Sequence, residues 1–439
     1  MVTDVTKDKT DVGNYFIANY PPFSFWKKEN LPSIEQAFAS PPQSSAPLGL
    51  YLHIPFCRKR CKFCYFRVYT DVNAQAIQRY VDSLAQEIAM VAAQPAIQGR
   101  EFHFVYFGGG TPSYLAVKQL HGLVGKLREH IDWDKAEEVT FECEPGTLQE
   151  AKVQALREIG VTRLSLGVEN FSDAVLEENG RAHLSGEVYR CWDWIKKAGF
   201  AQVNIDLIAG MVGETWDNWR ENVRKTIELD PDSVTIYQME LPYNTKYAKD
   251  LQILGHTEVA SWSTKRDWVA YAFRTLAEAG YRVSSAYTMV KKKSSRESTF
   301  LYRDALWHGA DLLCAGVASF GHLSGVHYQN IDGLENYEGM LNEGRLPLGR
   351  ALPTSAEERL IREMILQMKV GWLDAAYFRG KFGVEIFEEF RSQFQDIVEQ
   401  GLAEMDGDRF TLKEEGLLRV DSLLPAFFLP EHRTTDRYT

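Results

Sequence analysis

The sequence predicts an α/β chain, a parallel sheet covered by helices. Two observations carry the prediction. Between residues 49 and 241, six short apolar runs alternate with segments whose apolar residues recur at helical spacing. The runs are nearly continuous instead of alternating with polar residues, as in strands buried on both faces. Strands and helices in alternation build parallel pairs joined by crossovers. The local pattern allows such a sheet either to close as a partial barrel or to stay open.

Residues 1–48 read as irregular, with an aromatic stretch of Tyr15, Phe16, Tyr20, Phe23, Phe25 and Trp26 and a Pro/Ser-rich linker, SPPQSSAPL, at 40–48. The aromatics are expected to pack against the next domain. The first strand is expected at 49–55 (GLYLHIP) and its helix at 74–94, where Ile77, Tyr80, Val81, Leu84, Ile88 and Val91 share a face. FHFVYF (102–107), VTFEC (139–143), RLSLGV (163–168), VNIDLIAG (203–210) and SVTIYQMEL (233–241) give five more strands. Helices are expected between them at 116–131, 147–159, 185–198 and 215–229. Residues 242–330 are less regular. They hold a helix near 258–279, a basic stretch of Lys291, Lys292, Lys293 and Arg296 read as a solvated loop, and the apolar run LLCAGVASFG. After about residue 353 the pattern changes: Ser355 opens the helical run AEERLIREMILQMKV, and shorter helices and two small strands follow. No repeat of roughly 20–50 residues is present, which excludes a solenoid.

The 439 residues suggest two to three domains, because a single core stops growing at roughly 250–300 residues. Lys+Arg is 49 and Asp+Glu is 60, so the net charge is 49 − 60 = −11. An acidic chain has no global pull toward nucleic acid or anionic membranes. No apolar run approaches the roughly 20 residues that span a bilayer. The opening MVTDVTKDKTD lacks the apolar segment of a secretory signal. A cytoplasmic location is expected, with neither nucleic acid nor membrane as partner.

Three of the six cysteines lie within eight residues; the others are Cys143, Cys191 and Cys314. Clustered thiols in a cytosolic chain of this size suggest a metal or redox centre. CRKRCKFC (57–64) spaces Cys57, Cys61 and Cys64 as C-x3-C-x2-C directly after the first strand. One loop can then wrap three corners of a cubane cluster. A [4Fe–4S] cluster normally takes four cysteines, so three leave one iron open to a chelating ligand. Structural zinc is the competing reading. It wants four closed ligands, commonly as two paired sets. No second pair exists here, and His53 lies on the strand before the loop.

YFGGGTPS (106–113) puts glycines at the end of the second strand, where a ligand can approach the backbone closely. It lacks the lysine of a triphosphate-binding loop. Acids also sit at strand ends: Glu142 and Glu144 in FECEP, Glu169 in LGVEN and Asp206 in NIDLIAG. The carboxyl ends of parallel strands form the ligand crevice, where acids bind ribose hydroxyls or an amino group, or else cap loops.

In this order and spacing, LYLHIPFCRKRCKFC, YFGGGTPS, FECEP, RLSLGVENF, NGRAH and NIDLIAG resemble a radical S-adenosylmethionine (radical SAM) enzyme. Within that superfamily the chain resembles the oxygen-independent coproporphyrinogen III oxidase family over nearly its whole length. The resemblance implies a partial (β/α)6 barrel over 49–330, an N-terminal arm and linker over 1–48, and a C-terminal helical or winged-helix module over 331–439. It implies a [4Fe–4S] cluster on Cys57, Cys61 and Cys64, with the open iron chelated by SAM. Tyr51 and Phe63 would pack near cluster and SAM. Gly109, Gly110 and Thr111 would contact SAM, Glu142 and Asp206 would bind its polar groups, and Arg181 would pair with its carboxylate. Such enzymes hold one or two SAM molecules, and Glu169 would lie between two. A small-molecule substrate, a flavodoxin or ferredoxin type electron donor and a monomeric chain are the expected partners and state.

The chain departs from the oxidase two residues after the third ligand, where the oxidase has a further Cys and this chain has Phe66, flanked by Tyr65 and Arg67. An aromatic there occurs in two groups of relatives. One comprises methyltransferases and cyclopropane-forming enzymes that use two SAM molecules. The other is a haem-binding chaperone, which lacks the 48-residue arm. The first expectation is therefore methyl or methylene transfer to an sp2 carbon of an apolar or aromatic substrate. The alternatives are oxidative decarboxylation of a porphyrinogen propionate, and haem delivery. Arg60, Lys62 and Arg67 are candidate partners for a substrate carboxylate, and Met239 and Glu240 for facing the substrate.

Overall fold

The computed structural model describes residues 13–42, 45–242, 245–249, 259–292 and 300–433. In chain order the strands are β1 (Leu48–Ile54), β2 (Phe102–Gly109), β3 (Glu138–Cys143), β4 (Arg163–Glu169), β5 (Gln202–Ala209), β6 (Ser233–Gln238), β7 (Tyr281–Val283), β8 (Thr288–Lys291), β9 (Asp311–Ala315), β10 (Phe320–Leu323), β11 (Val326–Asn330), β12 (Leu348–Pro353), β13 (Trp372–Asp374), β14 (Ala403–Asp406) and β15 (Arg409–Leu412). The chain divides into two compact units. One comprises Phe25–Asp206 and Phe300–Thr354; the other comprises Met1–Ser24, Leu207–Thr299 and Ser355–Thr439. Of the basic stretch, Lys293 and Arg296 lie outside the described residues.

In the first unit β1 pairs in parallel with β2 and with β9, β2 with β3, and β3 with β4. The strands are buried almost throughout, which explains their continuous apolar sequence. Crossover helices Ala74–Ala92, Val117–Arg128, Glu150–Glu158 and Ser185–Ala198 connect them, close to the expected spans. The first starts where the Asn73 side chain accepts the Ala76 N–H, and its buried face carries Ile77, Tyr80, Val81, Leu84, Ile88 and Val91. Tyr80 reaches from this helix to the end of β1, where its hydroxyl donates to the His53 carbonyl at 2.6 Å. Glu87, one turn and more further on, is fixed by Tyr337, Asn330 and the Gly316 N–H.

Two parts of this unit are more regular than the sequence suggested. Residues 31–39, read as irregular, form a helix with Pro32 in its first turn and Ile34 and Phe38 buried at i, i+4 spacing. A run this short, beside a Pro/Ser-rich segment, gives too little periodicity to register. The LLCA run is β9, parallel to β1, and β10, β11 and β12 follow as antiparallel neighbours. Strands of four to six residues were masked by their glycines and histidines.

In the second unit β6 pairs antiparallel with β8, and β8 with β7. The strand ends at Gln238, before the expected end, as the chain turns toward Pro242, which has no N–H to give. Ser355 caps the helix Ala356–Met368 through a capping box with Glu358. Helices Ala375–Phe382 and Arg391–Glu399 and a small sheet ordered β13-β15-β14 complete the C-terminal part. The N-terminal arm is bound to it by buried polar contacts. The Lys369 ammonium donates to the Ile17 carbonyl at 2.6 Å and pairs with Asp421 at 2.7 Å, both side chains without exposed surface. Asp421 also accepts the Ile17 N–H at 2.9 Å and the Tyr287 hydroxyl. Phe16 lies 4.0 Å from the Lys369 ammonium, ring face toward the charge.

Removing one member of a buried ion pair strands the other charge. Lys369→Ala is therefore expected to lower stability by about 3–5 kcal/mol in denaturant titration. A loss below about 1 kcal/mol would show that water reaches Asp421 in the folded state.

Candidate functional site

The site is built on the carboxyl ends of β1 to β4 and on residues 202–206 of β5. Register places Tyr51, Tyr106, Thr140 and Arg163 side by side across four strands. Two residues further along each strand the same face carries His53, Gly108, Glu142 and Ser165. The first row closes the inner end with aromatic rings. Tyr51 stacks on Tyr106 at 5.9 Å, Tyr302 lies 4.3 Å from Tyr106, and Phe300 follows at 5.9 Å. Arg163 is 2 % exposed, with its guanidinium 4.0 Å over Phe300 and its Nε and Nη1 without hydrogen-bond partners.

The acids of the second row are held by neighbouring strands. Glu142 accepts the Tyr106 hydroxyl at 2.6 Å and the Gly109 N–H at 3.3 Å. Asp206 accepts the Ser165 hydroxyl at 2.9 Å and the Asn204 amide at 2.8 Å. Glu169 ends β4 at φ 63°, a left-handed conformation that costs a non-glycine residue about 1–2 kcal/mol. Burial pushes Glu142 and Glu169 up to about 7, and Asp206 also upward, with the three acids repelling one another.

Residues 57–68 form a loop closed at its base, where Cys57 N–H donates to Tyr69 O and Tyr69 N–H to Pro55 O. Each of its three thiols is half-buried. Thr111 donates its hydroxyl to Cys57 Sγ at 3.3 Å, and Arg181 reaches Cys61 Sγ at 3.5 Å. Burial raises Cys57 to about 12 and Cys64 to about 11, reinforced by the other thiols, so proton release accompanies metal binding. Arg181 also donates to the Gly167 carbonyl at 2.7 Å and stands 3.6 Å from Glu169. Its Nε has no partner. Behind it the His183 ring nitrogens lie 3.1 Å from Glu144 and 3.2 Å from the Val168 carbonyl.

The glycines leave room beside the loop. A Cβ at Gly109, whose φ is 116°, would come within 2.7 Å of the His53 ring. One at Gly110 would come within 2.9 Å of the Phe56 carbonyl and 3.1 Å of Cys57 Sγ. The structure thus gathers Tyr51, Cys57, Cys61, Cys64, Gly109, Gly110, Thr111, Glu142, Glu169, Arg181 and Asp206 in one unit. Phe63 is half-buried in the loop. Met239 and Glu240 belong to the other unit. Tyr106, Arg163, Ser165 and Asn204 were missed. Reading each strand at period two from its end residues would have found them.

Residues 51–226 match the family model of the radical SAM superfamily. The chain carries a radical SAM domain. A haem chaperone, HemW, from Lactococcus lactis is 28% identical over 394 residues, covering 88% of this chain and 98% of its own. The oxygen-independent coproporphyrinogen III oxidase of Synechocystis is 27% identical over 416 residues, covering 91% and 86%. The solved structure of Escherichia coli coproporphyrinogen III oxidase (HemN) superposes with a TM-score of 0.80 at 23% identity, covering 94% of this chain and 96% of that one. The α/β radical SAM fold expected from the sequence is therefore present. No helix among the described residues is long and apolar enough to cross a membrane.

Radical SAM proteins use a [4Fe–4S] cluster and SAM, and the residues present fit both. A cluster bound by the three thiols of this loop would keep one iron without a protein ligand. The unpartnered Arg181 Nε and His53 Nε2 sit beside a glycine cradle. With Glu142, Glu169 and Asp206 ionised against Arg163 and Arg181, the site carries 2 − 3 = −1. SAM, with a sulfonium, an ammonium and a carboxylate, carries one net positive charge, opposite in sign to this set of side chains.

This charge balance sets a pH dependence. Glu142 and Glu169 hold protons below about 7. Raised acids favour the folded state at low pH, a contribution lost as pH rises from 4.5 through about 7. If these acids face SAM, its binding runs the other way, because the ionised carboxylates attract its cationic groups. Equilibrium dialysis is expected to show SAM affinity falling below pH ~7, by up to about tenfold per pH unit for each proton displaced. A flat profile from pH ~6 to ~8 would show that these acids do not face the cofactor.

Proposed function

We propose that this radical SAM protein transfers a methyl or methylene unit from a second SAM to an sp2 carbon of an apolar or aromatic substrate. The observation that carries the radical part is the convergence of three thiols, two arginines and three acids on one end of the parallel sheet. The transfer part is supported by Phe66, which stands where the decarboxylating oxidase has a further Cys.

In this reading Cys57, Cys61 and Cys64 hold the cluster. A cluster held there would supply the one-electron reduction that cleaves SAM. Arg181 pairs with the SAM carboxylate while its contact to Cys61 keeps the loop in place. Gly109 and Gly110 let the ligand approach the backbone, and Thr111 holds the Cys57 side of the loop. Glu142 and Asp206 take the ribose or ammonium groups, Glu169 lies between two SAM molecules, and Tyr51 and Phe63 pack beside them. The Tyr51, Tyr106, Tyr302 and Phe300 rings keep water from the inner end. The substrate is a small molecule, and a protein electron donor of flavodoxin or ferredoxin type completes the reaction.

A second reading is favoured by the relatives. The Synechocystis protein matches 91% of the chain and is an oxygen-independent coproporphyrinogen III oxidase. The Lactococcus protein is a haem chaperone. Both names concern tetrapyrroles, so a porphyrinogen is the first substrate to try, with haem binding as the chaperone counterpart.

Cys57→Ala, Cys61→Ala and Cys64→Ala are each expected to abolish iron–sulfur absorbance after anaerobic reconstitution. Full cluster content in any one variant would remove that cysteine from the ligand set. Mass spectrometry of an anaerobic assay with SAM, a strong reductant and candidate substrates separates the reactions. Methyl or methylene transfer predicts that 5′-deoxyadenosine and S-adenosylhomocysteine rise together. A rise in 5′-deoxyadenosine alone returns the oxidase reading, and neither product alongside tight haem binding returns the chaperone.

A further inference from the structure

Outside the residues assigned to the site, the crossover helix Ala74–Ala92 carries a buried carboxylate. Glu87 is 1 % exposed. Its oxygens accept the Gly316 N–H at 2.7 Å, the Asn330 amide at 2.6 Å and the Tyr337 hydroxyl at 2.5 Å. All three of these donors are neutral. Burial pushes Glu87 up to about 7, against the pull of these bonds. An acid buried on neutral donors is costly beside an apolar residue of similar size.

Glu87 acts where two strands part. β1 and β9 keep parallel register from Leu48 with Asp311 to Leu52 with Ala315, and the pairing stops there. The next residues along the two strands are His53 and Gly316, the latter at φ 105°. The Gly316 N–H lies beyond the ladder, and Glu87 accepts it. The fit against His53 is close. A Cβ at Gly316 would come within 2.6 Å of the Tyr80 hydroxyl, 2.8 Å of the His53 carbonyl and 2.9 Å of the His53 Cβ. Tyr80 donates to that carbonyl at 2.6 Å and accepts the Val317 N–H at 3.2 Å. Asn330 also donates to the Gly316 carbonyl at 3.0 Å. The His53 ring is itself the group that a Cβ at Gly109 would meet, at 2.7 Å. There is no room for a methyl group between Gly316 and His53, or between His53 and Gly109.

We propose that Glu87 is a positioning residue for the SAM cradle: by holding Gly316 against His53 it sets the His53 ring beside Gly109. The proposal rests on the reading of Gly109 and Gly110 as SAM contacts. A plain core role is the competing account. An apolar side chain would fill a core without three directed bonds, and the bond from Gly316 is the one that leads to His53.

The experiment reads ring position and SAM binding separately. Reconstituted protein labelled with carbon-13 histidine gives NMR signals for the imidazoles, and His53→Gln identifies the His53 signal by its loss. Equilibrium dialysis gives SAM affinity, and urea titration gives stability. Glu87→Met fills the same volume without an acceptor. It is expected to shift the His53 signal and to weaken SAM binding by about tenfold, since a misplacement of about 1 Å can cost about a hundredfold. Glu87→Asp withdraws the carboxylate by one methylene, is expected to do the same, and carries the test if Glu87→Met does not fold. Glu87→Gln, which keeps an oxygen for the Gly316 N–H, is expected to stay within about threefold of the parent. Tyr337→Phe removes a bond that does not lead to His53. It is expected to lower the urea midpoint and leave the His53 signal and SAM affinity unchanged. An unmoved His53 signal or parental SAM affinity in the folded Met or Asp variant overturns the positioning role. So do equal losses in Tyr337→Phe. A His53 signal that shifts in a protein whose parent form binds no SAM keeps Glu87 as the residue that sets the ring and sinks the reading of the glycines as SAM contacts.

Discussion

One guanidinium holds the site together. Arg181 touches Cys61 of the loop, the Gly167 carbonyl of β4 and Glu169 at the end of that strand. A cation in this position does three things at once. It offsets the mutual repulsion of neighbouring thiolates when they lose their protons, it satisfies a strand-end carbonyl, and it gives Glu169 an opposite charge. The surrounding sequence is shaped around it. A Cβ at Gly167 would stand 2.9 Å from Glu169 Oε1 and 3.4 Å from an Arg181 nitrogen, so a side chain there would displace the Glu169 carboxylate. Glu144 and His183 back the same turn, and Arg58 reaches across to Glu144 and the Ala182 carbonyl.

The acids are held away from their preferred charge state. Two carboxyls sit near 7 because burial penalises their charge more than Tyr106, Gly109 and the arginines compensate it. Arg163, with two uncommitted nitrogens at 2 % exposure, carries the mirror-image penalty. Groups held this far from their preferred state are what a ligand of complementary charge relieves. The strained φ of Glu169 belongs to the same economy, since backbone strain persists only where the surrounding structure over-determines it.

The sequence made the strands legible because they are buried on both faces and because crossover helices carry long amphipathic faces, as Ile77 to Val91 do. It made the thiols legible because their spacing is local. Contacts set by register were hidden. Nothing local tells that Tyr106 and Glu142 meet, or that Asn204 reaches Ser165 across 39 residues. β9 was hidden for another reason. It is five residues long, and its place is decided by pairing with β1 rather than by its own pattern. The helix at 31–39 and the left-handed Glu169 were likewise beyond a reading of periodicity.

The cysteine loop keeps its thiols half-buried, where limited contact with water strengthens every charge interaction around them. Tyr80 and Phe56 pack at its root, backbone hydrogen bonds close its base, and the thiols are half-buried while Tyr65 and Phe66 are exposed. Phe66, exposed beside Tyr65, cannot bind metal, so between Cys57 and Tyr69 the loop offers three thiols and no fourth.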